Sequence, residues 1–97
     1  MNAFEAKTVY EEAVARYVEE NRITWQKHRK RIDGRIEQSA RCMEQHIYLS
    51  GSDVTIMAMY EESVMELRDD HFNVRLYHGS DVVTDIKNAD KVMISWS

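Results

Sequence analysis

The chain has 97 residues, a formal net charge of -4 and one cysteine. That length gives one domain, residues 1–97, near the lower end of sizes that fold alone. A single thiol excludes an internal disulfide and a zinc site built on paired cysteines, and a hydrophobic fraction of 43% excludes wholesale disorder.

Glu5, Glu11, Glu12, Glu19 and Glu20 leave no room for the apolar region of a secretory leader, and no apolar run reaches the ~18 residues of a membrane span. The expectation is a cytoplasmic protein, in the host cell if the chain is viral, that does not enter membranes. Two Trp, five Tyr, two Phe and six Met must share a small core. Some of that apolar surface is expected at an interface, which points to a homo-oligomer. Charge is unevenly placed: residues 1–21 carry -3, residues 22–41 carry +5 and residues 42–97 carry -6. Such a chain is suited to holding a phosphate in one place or to pairing basic and acidic faces of neighbouring subunits.

In chain order, the spacing predicts a first helix over 3–20. Ala6, Tyr10, Ala13 and Tyr17 form its apolar row, Val14 and Val18 run beside it, and Asn2 with Glu5 supplies a capping box. A break is expected around Asn21–Thr24, with the alternative that the two helices are nearly continuous, since no Gly or Pro marks it. A second helix over about 24–45 has its buried row marked by Trp25, Ile32, Ile36, Ala40, Met43 and Ile47. "HIYLS" (46–50) reads as a strand leading into Gly51, and a third helix should run from Ser52 or Asp53 to Arg68. "FNVRLYH" (72–78) alternates as a strand with one buried face. "DVVTDI" and "KVMISW" are expected to form a closing hairpin across "KNAD". The predicted fold class is α+β: two N-terminal helices, then a β-α-β-β-β unit whose small mixed sheet is covered by helices. The strands 46–50 and 72–78 are expected to pair in parallel through the helix between them.

The basic stretch "WQKHRKRIDGR" (25–35) places Lys27, Arg31 and Arg35 in one helical row. Most simply the row faces water or an acidic neighbour. With Arg75 it forms the candidate phosphate or nucleotide site of the alternative reading, while the acidic surroundings argue against duplex nucleic acid. The histidines His28, His46, His71 and His78 lack metal-ligand spacing, so no metal or cofactor is expected. Asp69 with Asp70, and Asp81, Asp85 and Asp90, read as turn and cap residues. Cys42 and His46 stand four apart, but Met43 and Ile47 beside them point to a packed, inert thiol. Phe4, Tyr10, Tyr17, Trp25 and Trp96 are the interface candidates. The chain has no GxSxG, P-loop, GxGxxG or CxxC.

Over "IDGRIEQSARCMEQHIYLSG", "ESVMELRDDHFNVRLYHG" and "KVMISW", the layout of residues 32–97 resembles small accessory proteins of tailed bacteriophages. Met43 or Glu44 stands where those proteins carry a glycine. The resemblance implies a non-enzymatic viral protein that inhibits a host protein or sequesters a nucleotide signal. It identifies no functional residue. The leading expectation is therefore a homo-oligomeric binding protein acting on an unknown host protein.

Overall fold

Asn2 caps the first helix as its spacing predicts, its side-chain carbonyl accepting from the Glu5 amide at 2.9 Å. The computed structural model describes all 97 residues, and in it that helix does not stop at Asn21. It runs unbroken as α1 (Ala3–Arg41), 39 residues long, where two helices were expected. The reason lies at Asn21 itself. Its side chain is buried and donates to the Met59 carbonyl at 3.1 Å, so it tethers the helix instead of capping a new one. Without Gly or Pro, the backbone has no cause to leave the helical region. At ~1.5 Å per residue α1 spans ~58 Å, which accounts for the 60 Å long dimension of the molecule.

Strand β1 (His46–Ser50) follows as expected, then α2 (Ser52–Met59) and α3 (Ser63–Asp69) in place of one helix. Tyr60 is extended at the break. Two side chains accept the change of direction: Ser63 Oγ donates to the Met57 carbonyl at 2.8 Å, and Asn21 takes the Met59 carbonyl. The Met59 carbonyl is one that a helix end leaves without a partner, while the Met57 carbonyl accepts from the Tyr60 amide at 3.3 Å as well as from Ser63.

Strands β2 (Asn73–His78), β3 (Asp81–Val83) and β4 (Lys91–Ser95) complete a four-stranded sheet of order β1-β4-β2-β3. Every neighbouring pair is antiparallel. The expected parallel pairing of β1 with β2 is thus overturned: the two run the same way, but β4 lies between them, so the sheet is not mixed. Nor does β4 pair with the 81–86 segment. β3 turns back on β2 through Gly79 at φ +60°, and residues 86–88 form a 3₁₀ turn. β4 takes the centre because Val92, Met93 and Ile94 offer apolar surface to both faces, with Val92 and Ile94 fully buried.

The core lies between the inner sheet face and the helices. Ile47, Leu49, Val74, Leu76, Val92 and Ile94 meet Trp25 and Ile32 of α1, Val54 and Met57 of α2, and Val64 and Leu67 of α3. Ile36 is half-buried, whereas Ala40 and Met43 are exposed, so the buried row of α1 ends sooner than its spacing predicts. Trp25 belongs to this core and not to an interface. It is wholly buried, and its indole N–H donates to Glu66 at 3.1 Å. Trp96 is half-buried against the same core.

Candidate functional site

Only the second half of α1 packs on the body. Its inward residues Asn21, Trp25, His28 and Ile32 keep the 4-3-4 spacing of a buried helix stripe. Stepping back seven residues from Trp25 and Asn21 reaches Val18 and Val14, and Tyr17 and Tyr10 lie beside them on the same side. Yet every residue from 1 to 20 is exposed, with Phe4, Tyr10 and Tyr17 more than half so. The apolar stripe therefore continues past the edge of the body as an overhang. Three interface candidates from the sequence, Phe4, Tyr10 and Tyr17, are on it.

At the root of the overhang is a cleft of about 450 Å³. Tyr17, Val18 and Asn21 form one wall; Ala58, Met59 and Tyr60 at the end of α2 form the other, with Glu61, Glu62 and Lys87 on the rim. The rim is internally paired. Tyr60 Oη donates to Glu62 at 2.9 Å, and that bond, with desolvation and the nearby carboxylates, holds the phenol pKa above its ordinary value. Lys87 is raised by its hydrogen bond to Glu61. Beside the cleft, Arg22 holds the Glu19 carboxyl below its usual range. Sequence reading missed this cleft, because it forms only when α2 breaks at Tyr60 and meets Asn21.

The basic row is partly consumed. Arg35 donates to the Tyr48 carbonyl at 3.0 Å and lies 3.4 Å from Asp53, whose other oxygen is 2.7 Å from His28 Nε2. Lys27 and Arg31 are exposed and form no ion pair. Arg29, outside the row, is ringed by Asp33, Glu66 and Asp70 at 2.9, 3.4 and 2.9 Å. Burial disfavours its charge, but hydrogen bonds to Asp33 and Asp70 prevail and raise its pKa.

Arg75 does not join the row. It points from β2 to the outer face of the sheet, opposite the helices, where it neighbours Met93 and Tyr48 in register. Lys91 lies 5.3 Å from the Tyr48 ring and 5.0 Å from that of Tyr77 on the same face. The outward positions His46, Tyr48, Ser50, Asn73, Arg75, Tyr77, Val82, Lys91, Met93 and Ser95 include no carboxylate.

The remaining sequence candidates are dispersed. Asp85 caps the 3₁₀ turn, and Asp90 accepts from the Gly79 amide at 3.0 Å. Cys42 is exposed after the end of α1, contrary to the packed thiol expected from its neighbours. No group of three or more His, Cys, Asp or Glu side chains is placed to hold a metal ion, and no helix is long and apolar enough to cross a membrane. Comparison with known proteins gave no matching family model, no matching curated protein and no matching solved structure.

Proposed function

We propose that this chain is a non-catalytic protein-binding module whose docking surface is the overhanging half of α1 with the cleft at its root. One observation carries the reading. Residues 3–20 form a regular helix that packs on nothing, yet they extend the stripe that buries Trp25. An amphipathic helix of this length draws most of its stability from covering its apolar face, so an uncovered one implies a partner. The phage-like layout of residues 32–97 supports a host protein as the eventual target.

The test is a Val14→Glu, Tyr17→Glu variant. Both side chains are exposed, so the body formed by residues 21–97 should keep its fold, and helical content and melting temperature should fall only by what the lost partner contributes. Association with a protein partner, whether another copy or a second protein, should be lost. If the variant binds every partner as well as wild type, the reading fails.

The outer sheet face favours a second reading. Two tyrosines and two cations without a carboxylate, in a chain with 17 acids, fit a nucleotide or a short single strand. Micromolar nucleotide or oligothymidylate should then raise the melting temperature, and Tyr77→Ala with Arg75→Ala should abolish the rise. No shift with either ligand eliminates this alternative.

A further inference from the structure

We infer that the occupant of the overhang is a second copy of the chain, paired antiparallel over residues 4–23, so that each helix fills the space beneath the other's overhang. The inference rests on the protein-docking reading and commits it to one partner.

Surface area supplies the first argument. A compact monomer of 11.5 kDa exposes roughly 5,800 Å², whereas this chain exposes 6961 Å². The surplus of about 1,200 Å² exceeds the ~800 Å² that each partner contributes to a standard interface. Its radius of gyration tells the same story: 16.4 Å against about 12.5 Å for a compact chain of this length.

Direction follows from which side the stripe faces. Val14 and Val18 look to the same side as Trp25, so the space they face is in line with the chain's own body. A parallel partner would bring its body against the first body at the same end of the pair. An antiparallel partner places the bodies at opposite ends and leaves the overhangs to overlap.

The sequence then supplies the register. Setting residue i level with residue 27 - i puts Tyr10 across from Tyr17 and Val14 beside Ala13 on the stripe side, and sets Phe4 level with Ile23 and Val9 level with Val18, with Ile23 and Val9 turned away from the stripe. The same register sets Glu5 level with Arg22, Lys7 with Glu20 and Glu11 with Arg16, and sets no like charges level. A segment that matches its own reverse in apolarity and opposes it in sign is self-complementary, as a two-fold interface requires. In a parallel pair each of these charges would stand level with its own copy. The antiparallel register also carries the partner's Phe4 and Lys7 towards the cleft, where Met59 and Tyr60 offer apolar surface and Glu62, bonded to the neutral Tyr60 hydroxyl, offers negative charge.

The experiment uses full-length chains carrying Cys42→Ser, with Tyr10→Cys in one and Tyr17→Cys in the other. Sedimentation equilibrium across the micromolar range should give a dimer mass for the Cys42→Ser parent. After mixing and mild oxidation, the two cysteine chains together should yield a covalent dimer, and each alone should yield little, because its two thiols lie seven residues apart along the pair. Cross-linking of each alone, at least as efficient as that of the mixture, overturns the antiparallel register. A monomer mass throughout overturns self-association. The broader docking reading survives that result if Val14→Glu, Tyr17→Glu still abolishes binding of a different protein, and fails with it if no binding is lost.

Discussion

The side-chain amide of Asn21 donates to the main-chain carbonyl of Met59, 38 residues away, at 3.1 Å. This bond decides two features at once. It ties α1 to the body at the position where a break is predicted, and it satisfies a carbonyl at the end of α2, so that α2 can stop there. Asn21→Ala should lower stability by about 1 kcal/mol, the net worth of a partly buried neutral hydrogen bond. Helical content should not fall, because alanine is a better helix former than asparagine. Urea denaturation with parallel circular dichroism checks both. A loss of helix without loss of stability would show that Asn21 merely maintains α1.

Arg29 should behave as the electrostatic hub beside that junction. Its guanidinium meets Asp33, Glu66 and Asp70 and lies 5.8 Å from the Phe72 ring centroid. The carboxylates are half-exposed or exposed, so solvent screening limits the gain. Arg29→Ala should cost roughly 1–2 kcal/mol, part of it lost packing on Phe72. Arg29→Lys should recover only a fraction, since an ammonium cannot reach three carboxylates in a planar fork. The difference between wild type and alanine variant should shrink in high salt. Denaturation midpoints at two ionic strengths provide the measurement, and a salt-independent difference would assign the effect to packing alone.

What could be read from the sequence follows from which interactions are local. The alternation in "HIYLS" and "FNVRLYH" is a property of each segment, and both strands stand where it places them. The row Tyr10, Ala13, Tyr17 likewise marked an apolar helical face, and that face exists. Asn21 misled because its character as a cap or a tether depends on Met59, which no window around residue 21 contains. Similarly, "DVTIMAMYEESVMELRDD" reads as one helix until Ser63 and Asn21 claim the carbonyls of Met57 and Met59. The position of β4 is a contest between sheet partners. A hairpin to 81–86 was the shorter connection, but inserting between β1 and β2 buries Val92 and Ile94 completely. Arg75 was grouped with Lys27, Arg31 and Arg35 by charge alone; strand alternation puts it on the other side of the sheet.

The two tryptophans should report this partition separately. Trp25 is fully buried and donates to Glu66, whereas Trp96 is half-buried near the chain end. In a Trp96→Phe variant, the remaining emission should be blue-shifted and poorly quenched by iodide. In a Trp25→Phe variant it should be redder and more accessible. The second change should also destabilise the fold by about 1–3 kcal/mol, through lost volume in a packed core and loss of the indole hydrogen bond to Glu66, which keeps its contact with Arg29. Equal quenching of both residues would contradict the packing of α1 on the body.

Gly34 offers a test with the opposite sign. It sits in the interior of α1, and a Cβ built there would find nothing within 4 Å. Its backbone is helical, so no left-handed conformation calls for glycine. Glycine in a helix interior costs roughly 0.5–1 kcal/mol relative to alanine, mainly through the freedom it has in the unfolded chain. Gly34→Ala should therefore raise stability by about that amount. Asp53, Arg35 and the sheet are undisturbed, and residue 34 lies outside the 4–23 segment assigned to pairing. The dimer dissociation constant should accordingly stay within twofold of wild type while the denaturation midpoint rises. A rise in stability matched by loss of self-association would mean that flexibility at Gly34 is used in assembly. A fall in stability would mean that something occupies the open space beside it.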